Sequence, residues 1–269
     1  MTPDLGLEGK VAIVTGAGSR SAEVGNGRAA AVLLARCGAK VAVVDISLES
    51  AELTCQMILD EGGDAASFVS DVSDNESCLR VVEEVRQVLG EPYVLVNNVG
   101  ISGPAGTAVD VDLDEWDRCM KVNVKSVVMM CKHVVPLMSS AGGGTIINIG
   151  STGGLSGGSA IVYATSKGAI VNLTKTLAAH HGPEGIRVNC VAPGMVYTPM
   201  VASRGMTPEM REVRRMRSLL KSEGTGWDVG AAVVFLASDL SRWITGVILP
   251  VDGGYLSALP YPTPPREWG

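Results

Sequence analysis

Short apolar runs alternate with longer stretches of helical periodicity along most of this chain of 269 residues. The apolar runs predict strands at 10–15, 40–45, 65–70, 93–97, 144–150, 186–191 and 246–250. The longer stretches predict helices at 26–37, 47–61, 74–89, 113–139, 160–182 and 226–237. Strands separated by helices pair in parallel, because each helix returns the chain to the same edge of the sheet. The pattern predicts one α/β domain over 1–269, with helices on both faces of a doubly wound, seven-stranded parallel sheet.

Polar residues at the predicted boundaries support this assignment. Asp74, and either Asp112 or Asp114, are candidate N-caps at the starts of predicted helices, where a carboxylate accepts hydrogen bonds from the first free N–H groups. The tail at 259–269 is rich in proline, which continues neither a helix nor a strand ladder. The tail therefore predicts either a disordered end or an extended arm that packs on a neighbouring subunit.

Composition narrows the class of function. Hydrophobic residues make up 46% of the chain and aromatic residues only 4%, so the core must consist mainly of Val, Ala, Leu and Ile. A net charge of −6 argues against nucleic acid or an anionic membrane as the main partner. The six cysteines form no CxxC pair and no Cys/His cluster, which predicts reduced thiols in a cytoplasmic protein and no metal site. We also expect neither a secretory signal nor a membrane span.

A glycine-rich turn follows the first predicted strand. Gly16 and Gly18 end that strand, a second group, Gly25-Asn26-Gly27, opens the first helix, and the next strand ends at Asp45. This order matches a dinucleotide-binding unit, in which glycine lets backbone N–H groups approach a pyrophosphate at a helix N-terminus. The carboxylate of Asp45 would bind an adenosine ribose and repel a 2′-phosphate. The alternative is an ordinary acid at a strand end.

A tyrosine and a lysine lie four residues apart in the longest predicted helix. Tyr163 and Lys167 therefore share one helix face, and Ser151 precedes them at the end of a predicted strand. The lysine charge favours the ionised phenol, which lets tyrosine pass a proton. Alone the pair would indicate only two common surface residues, and its context gives it meaning.

Together these residues resemble the short-chain dehydrogenase/reductase family, and the resemblance covers nearly the whole chain. Its further elements are Asp71-Val72, Asn97-Asn98-Val99-Gly100, Asn123, Ser151, Tyr163-Ala164-Thr165-Ser166-Lys167, Pro193-Gly194 and 246–254. The resemblance implies a Rossmann fold and an oxidoreductase that uses NAD, with NADP as the less favoured cofactor. It also implies a homotetramer, because the family pairs the helices predicted at 113–139 and 160–182 across a two-fold axis.

The resemblance implies a catalytic tetrad of Asn123, Ser151, Tyr163 and Lys167. Tyr163 would exchange a proton with the substrate oxygen, and Ser151 would polarise that oxygen. Lys167 would hold the cofactor ribose and support the ionised phenol. Asn123 would anchor a water that relays protons, or it is a core amide that bends its helix.

The resemblance also implies a set of cofactor contacts. They are Gly16, Gly18, Gly25, Asn26, Gly27, Asp45, Asp71, Val72, Asn98, Gly100, Tyr163, Lys167, Pro193, Gly194, Val196 and Thr198. Asp71 and Val72 would meet the adenine, and the Val196 backbone with Thr198 would bind the nicotinamide carboxamide and the adjacent phosphate. Asn97 either lines the cofactor path or braces neighbouring strands.

The chain departs from the family pattern in its phosphate turn. Arg20 and Ala22 stand where the family has glycines, which predicts an insertion at Ser19–Val24. Val99 also replaces the usual alanine. Arg20 would favour NADP, whereas Asp45 favours NAD. We expect NAD, because Asp45 comes directly from a strand end while Arg20 lies in a loop of altered length.

The resemblance implies that residues 195–225 form a variable substrate loop. Methionine adapts to apolar ligands, so Met200, Met206, Met210 and Met216 predict a small, apolar or cyclic substrate. They also fit a helix face that packs on the domain or on a partner. Five arginines would serve an anionic substrate or form a solvated face: Arg204, Arg211, Arg214, Arg215 and Arg217.

The sequence thus predicts an NAD(H)-dependent secondary-alcohol dehydrogenase or ketone reductase. Two alternatives stay open. One is an epimerase or ring-forming enzyme of the same fold, and the other is a cofactor-sensing protein without turnover.

Overall fold

The computed structural model describes residues 5–19, 24–157, 160–203 and 205–257. Its strands are β1 (Val11–Thr15), β2 (Lys40–Asp45), β3 (Asp64–Val69), β4 (Pro92–Asn97), β5 (Gly144–Ile149), β6 (Ile186–Pro193) and β7 (Ile248–Val251). They form one parallel sheet in the order β3-β2-β1-β4-β5-β6-β7. The predicted seven-stranded, doubly wound sheet is therefore confirmed.

The helices occupy the predicted crossovers and the segment before β7. They are α1 (Asn26–Arg36), α2 (Leu48–Asp60), α3 (Asn75–Val88), α4 (Leu113–Met120), α5 (Ser126–Ser140), α6 (Ile161–His181), α7 (Pro199–Ala202), α8 (Pro208–Arg215) and α9 (Gly226–Ala237).

Two apolar clusters cover the two faces of the sheet. On one face α1, α2 and α9 contribute Leu34, Ile58 and Val233, all essentially inaccessible to solvent. On the other face α3, α5 and α6 contribute residues such as Met130 and Ile170. Strands that are buried on both faces need apolar side chains on both, which explains the continuous Val, Ile and Ala runs of this sequence.

Side-chain caps fix the starts of several helices. Ser47 Oγ accepts a hydrogen bond from the Ser50 amide at 3.3 Å, and Asp74 Oδ2 accepts one from the Ser77 amide at 2.8 Å. Of the two acids considered for the start of α4, Asp112 is the cap. Each carboxylate or hydroxyl satisfies one of the N–H groups that a helix leaves unpaired at its start.

The segment at 113–139 departs from the single regular helix that its periodicity predicts. Between α4 and α5 the chain forms a π-helical turn at Lys121–Lys125. Such a turn holds one extra residue and pushes the backbone outward. The predicted substrate loop at 195–225 contains the short helices α7 and α8, which the sequence pattern did not separate.

Some predictions concern residues outside the described ranges. Arg20 and Ala22 belong to the predicted insertion, and the predicted proline-rich arm spans 259–269. The insertion and the arm therefore stay predictions.

Within the described ranges, no helix combines the length and the apolar character needed to cross a bilayer. In the same ranges, no group of three or more His, Cys, Asp and Glu side chains is arranged to hold a metal ion. All six cysteines are free, and burial raises the pKa of the Cys131 thiol to about 12 and that of Cys190 to about 11.

Candidate active site

The predicted site residues gather at the carboxyl edge of the sheet. The strand order places β1 between β2 and β4, so the chain winds outward in opposite directions from the β1–β4 pair. A crevice forms where the winding reverses, and parallel α/β proteins bind ligands there. The turns after β1, β2, β4, β5 and β6 all open onto this edge.

Tight backbone packing holds the glycine turn after β1. Gly16 adopts a φ of +62°, which favours glycine, and Asn98 Nδ2 donates hydrogen bonds to Thr15 O and Gly16 O at 3.1 and 2.9 Å. A Cβ at Gly27 would lie 2.2 Å from Gly16 O, so a side chain there would displace the turn. Asn98 therefore braces the turn through its side chain.

The start of α1 fits an anionic group. Gly25 is the N-cap without a side-chain cap, and no acid occupies the first turn. A Cβ at Gly25 would meet only Pro199 Cδ at 3.9 Å, so the helix end is open. Asn26 Oδ1 is buried and lacks a hydrogen-bond partner among the described residues. Open N–H groups at a helix N-terminus suit the pyrophosphate of a dinucleotide.

Asp45 is held rigidly at the end of β2. Its Oδ2 accepts a hydrogen bond from the Gly18 amide at 3.0 Å, and its Oδ1 accepts one from the Ser47 amide at 3.1 Å. The carboxylate is thus preorganised beside the glycine turn. This position suits a ribose diol and opposes a phosphate of like charge.

A buried arginine lies beneath the glycine turn. Arg28 is only 2% exposed, and its Nε donates to Thr54 Oγ1 at 2.9 Å. Thr54 Oγ1 in turn donates to Ala17 O at 2.9 Å. Burial lowers the pKa of Arg28, and the negative charge of Asp45 opposes that decrease. We call Arg28, Thr54 and Ala17 the turn support.

The predicted adenine contacts lie at the end of β3. Asp71 is exposed, and its Oδ1 accepts a hydrogen bond from the Ser73 amide at 2.9 Å. Val72 is buried in the core, and its carbonyl oxygen accepts a hydrogen bond from Cys78 Sγ at 3.3 Å. Asn97 is also buried and donates to Asn148 Oδ1 at 3.0 Å, which makes it the strand brace of the two roles considered.

Tyr163 and Lys167 lie on the first turns of α6. The Lys167 Nζ atom is 5.9 Å from the centre of the Tyr163 ring. It also donates a hydrogen bond to Ile149 O at 2.8 Å, and the lysine is only 4% exposed. A buried ammonium so close to the phenol supplies the positive charge that the helical spacing predicted.

Ser151 faces the same space as Tyr163. A Cβ at Gly153 would lie 3.5 Å from Ser151 Oγ and 3.8 Å from Tyr163 Cε1, so both side chains border this glycine. Ser151 Oγ accepts a hydrogen bond from the Gly153 amide at 3.1 Å. That bond uses a lone pair of the hydroxyl and directs its hydrogen elsewhere.

Asn123 enters the site from the π-helical turn. Its Oδ1 accepts from the Ile101 amide at 2.7 Å, and its Nδ2 donates to Ile101 O and Ser166 Oγ, both at 2.9 Å. A Cβ at Gly100 would lie 3.5 Å from this Oδ1 and 3.3 Å from Lys167 Nζ. Asn123 therefore lies beside Lys167.

The predicted nicotinamide contacts follow β6. Pro193 ends the strand, and Gly194 packs so tightly on Asp252 that a Cβ would lie 2.5 Å away. The Val196 amide donates to Gly194 O at 2.9 Å, so this group is already used within the turn. Thr198 is the N-cap of α7 and makes no side-chain capping bond.

The substrate loop is closed at its base. The Tyr197 amide donates to Gly224 O at 2.8 Å, and Arg211 lies 3.8 Å above the Tyr197 ring while it pairs with Glu223. Further along, the Leu220 amide donates to Gly253 O at 3.2 Å. The loop is therefore fixed at both of its ends.

The four predicted catalytic residues converge, and sequence reasoning missed two features around them. Arg28 gave no signal, because an arginine at a helix start is normally solvated. Ser166 belongs to the motif that runs from Tyr163 to Lys167, and only its position one residue before Lys167 hinted at a role.

Comparison with known proteins gives one matching family and several similar dehydrogenases. The sequence profile of a family described as enoyl-(acyl carrier protein) reductase matches residues 21–256. The 2-(R)-hydroxypropyl-CoM dehydrogenase of Xanthobacter autotrophicus is 38% identical, over 91% of this chain and 98% of the relative. The cis-4-hydroxycyclohexanecarboxylate dehydrogenase of Sinomonas cyclohexanicum is 36% identical, over 91% of this chain and 96% of the relative.

A solved structure of a dehydrogenase has a similar fold. A 7α-hydroxysteroid dehydrogenase, complexed with NADH and 7-oxo glycochenodeoxycholic acid, superimposes with a TM-score of 0.86 at 33% identity. The match covers 92% of this chain and 94% of that structure.

Proposed function

Because the chain belongs to the short-chain dehydrogenase/reductase family, we propose that it is an NAD(H)-dependent enzyme that interconverts a secondary alcohol and a ketone. The observation that carries this proposal is the convergence of Asn123, Ser151, Tyr163 and Lys167 at one edge of the sheet. A cofactor sensor without turnover would not require all four groups.

Charge accounting gives each residue a task. Tyr163 gives a proton to the substrate oxygen during reduction and takes it back during oxidation. Ser151 donates its hydroxyl hydrogen to the same oxygen, since its lone pair already accepts from Gly153. The buried Lys167 ammonium stabilises the phenolate that remains after proton loss.

Asn123 presents its Oδ1 beside Lys167, and by the family resemblance it anchors a water that relays protons from Lys167 to solvent. The nicotinamide cofactor, when bound, supplies or accepts the hydride.

We assign NAD as the cofactor on the strength of Asp45. Its carboxylate is fixed by two backbone amides beside the open start of α1. A 2′-phosphate at this position would meet a like charge that cannot turn away. The relative with a bound cofactor contains NADH, which is consistent with this assignment.

The proposed substrate is small and apolar or cyclic. According to their names, three relatives act on a hydroxysteroid, a hydroxycyclohexanecarboxylate and a hydroxypropyl-CoM. The methionines of the substrate loop are suited to such apolar groups, and Met200 and Met210 are partly exposed there. We place this activity in the cytoplasm, because all six cysteines are free thiols.

A turnover assay tests the proposal directly. The purified protein is incubated with NADH or NADPH and a panel of cyclic and aryl ketones, and then with the matching alcohols and oxidised cofactors. We expect a net change in NADH absorbance with at least one cyclic pair. The redox assignment fails if NADH binds but no ketone or alcohol of the panel, and no epimer of those alcohols, changes the amount of NADH.

Tyr163→Phe assigns the proton transfer. We expect kcat to fall by at least ~10²-fold, the range of general acid–base catalysis, while NADH still binds. Tyr93→Phe is the matched control, because Tyr93 lies at the start of β4, on the opposite edge of the sheet. A Tyr163→Phe enzyme with nearly full turnover would refute the role of the phenol.

A further inference from the structure

Ser166 lies at the meeting point of three proposed catalytic residues. It is fully buried, with no accessible surface. Its Oγ accepts a hydrogen bond from Asn123 Nδ2 at 2.9 Å and donates one to Tyr163 O at 2.8 Å. It also directly precedes Lys167 in α6. A single hydroxyl therefore connects the π-helical turn with the helix that carries the tyrosine and the lysine.

The Asn123 amide depends on this hydroxyl for its orientation. An amide nitrogen has two hydrogens, and the two oxygen acceptors at 2.9 Å, Ile101 O and Ser166 Oγ, match that number. Cys119 Sγ lies at 3.3 Å and is a weaker acceptor. Without Ser166, one hydrogen of a buried amide would lose its oxygen partner, and buried polar groups shift to regain one.

The position of Asn123 determines where its free acceptor points. Oδ1 accepts from the Ile101 amide on one side, and on another side it borders the space next to Gly100 that Lys167 Nζ also reaches. A small rotation of the amide would move Oδ1 out of this shared space. Removal of the Ser166 hydroxyl would also take away the hydrogen bond that it donates to Tyr163 O.

We propose that Ser166 is a positioning residue that holds Asn123 in register with Tyr163 and Lys167. The inference rests on the proposed function, since those residues are its catalytic groups. Ser166 touches neither the substrate nor the cofactor in this role. Its loss should therefore lower the rate of the chemical step and leave cofactor affinity intact.

Thr174 offers a matched control on the same helix. It is equally buried, its Oγ1 accepts from Asn148 Nδ2 at 3.0 Å, and it donates to Ile170 O at 2.8 Å. Thr174→Val therefore removes the same pattern of bonds two helical turns away from Lys167. It reports the cost of a lost buried hydroxyl in α6 without a link to the tetrad.

The experiment compares Ser166→Ala with Thr174→Val. We expect both variants to lower the Tm similarly, and Ser166→Ala alone to lower kcat, on the order of tenfold, as for one lost buried hydrogen bond. The Kd for NADH and the substrate KM should stay within about twofold of the parent protein. Equal kcat values for the two variants, or a Ser166→Ala enzyme with normal kcat, would overturn the proposal.

Two further measurements keep the outcome decisive. Ser166→Cys keeps a polar hydrogen on a slightly larger side chain, with a weaker donor and acceptor, and it should give an intermediate kcat even if the alanine variant does not fold. A crystal structure of whichever Ser166 variant folds, alanine or cysteine, tests the geometry without any substrate. An Asn123 amide and a Tyr163 backbone in their parent positions would refute positioning by Ser166. Absence of turnover in the parent protein would instead refute the proposed function.

Discussion

Single side chains at this site combine two tasks. Asp45 faces the proposed ribose position while it accepts hydrogen bonds from two amides, and Lys167 supplies charge while it donates to Ile149 O. Asn98 supports the glycine turn that would approach the pyrophosphate. Truncation of any of them would change ligand binding and local structure together. Substitutions that remove charge and keep shape therefore separate the two tasks better.

Lys167→Met is such a substitution. A buried ammonium costs free energy that an apolar side chain of similar length does not, so we expect an equal or higher Tm. Turnover should fall by at least ~10²-fold, because the phenolate of Tyr163 loses its stabilising charge. Thermal unfolding and steady-state kinetics check the two halves. Normal kcat together with normal NADH affinity would show that the pair is only structural.

Asp45→Asn tests the cofactor choice. The parent enzyme should prefer NAD by at least ~10-fold in kcat/KM, which corresponds to about 1.4 kcal/mol. Asparagine keeps an acceptor oxygen for the Gly18 or Ser47 amide but removes the charge that opposes a 2′-phosphate. The preference should therefore narrow. Arg20→Ala is the companion variant and should leave the preference nearly unchanged; equal kinetics of the parent enzyme with NADP would contradict the assignment.

At the scale of elements, regular periodicity predicted the seven strands and the long helices to within a few residues. It failed where the period changes over a short distance. The π-helical turn alters the spacing over only five residues, and α7 has four, so neither gives a distinct pattern. The sequence also did not predict which side chains from distant segments of the chain come into contact. Nothing in the chain indicated that Arg28 would lie buried against Thr54.

Thr54→Val tests the turn support. It removes a hydroxyl that accepts from Arg28 Nε and donates to Ala17 O, so a buried guanidinium loses a partner. We expect a lower Tm, from a loss of ~1–3 kcal/mol, and weaker NADH binding because the glycine turn is less well held. Thr145→Val is the control, since Thr145 is a buried threonine that bonds Leu236 O far from this turn. Identical NADH affinity for the two variants would exclude a role in cofactor binding.

At the scale of the whole molecule, two exposed apolar residues bear on the proposal of a homotetramer. Val128 on α5 is 45% exposed, and Trp243, just before β7, is 97% exposed. Tryptophan rarely stays in water without a partner, and β7 forms one end of the sheet, where a strand has an unpaired side. These features support the homotetramer that the family resemblance implies.

Light scattering tests this assembly. We expect a homotetramer with dihedral symmetry at micromolar protein. Trp243→Glu should reduce the mass to that of a dimer, because it places a charge in the contact beside β7 but leaves α5 and α6 unchanged. A parent protein with a mass near 27.9 kDa, that of one chain, would rule out the tetramer.

The closed base of the substrate loop has a consequence for how such enzymes diverge. Tyr197 and Gly224 are joined by a backbone hydrogen bond, so the two ends of the loop meet at one place, and a second bond from Leu220 to Gly253 ties the loop to the turn after β7. The segment between them can lengthen, shorten or change its side chains while the catalytic edge keeps its place. Exchange of this loop between relatives is therefore a route to new substrates. The recipient would keep its own tetrad and its own sheet unchanged.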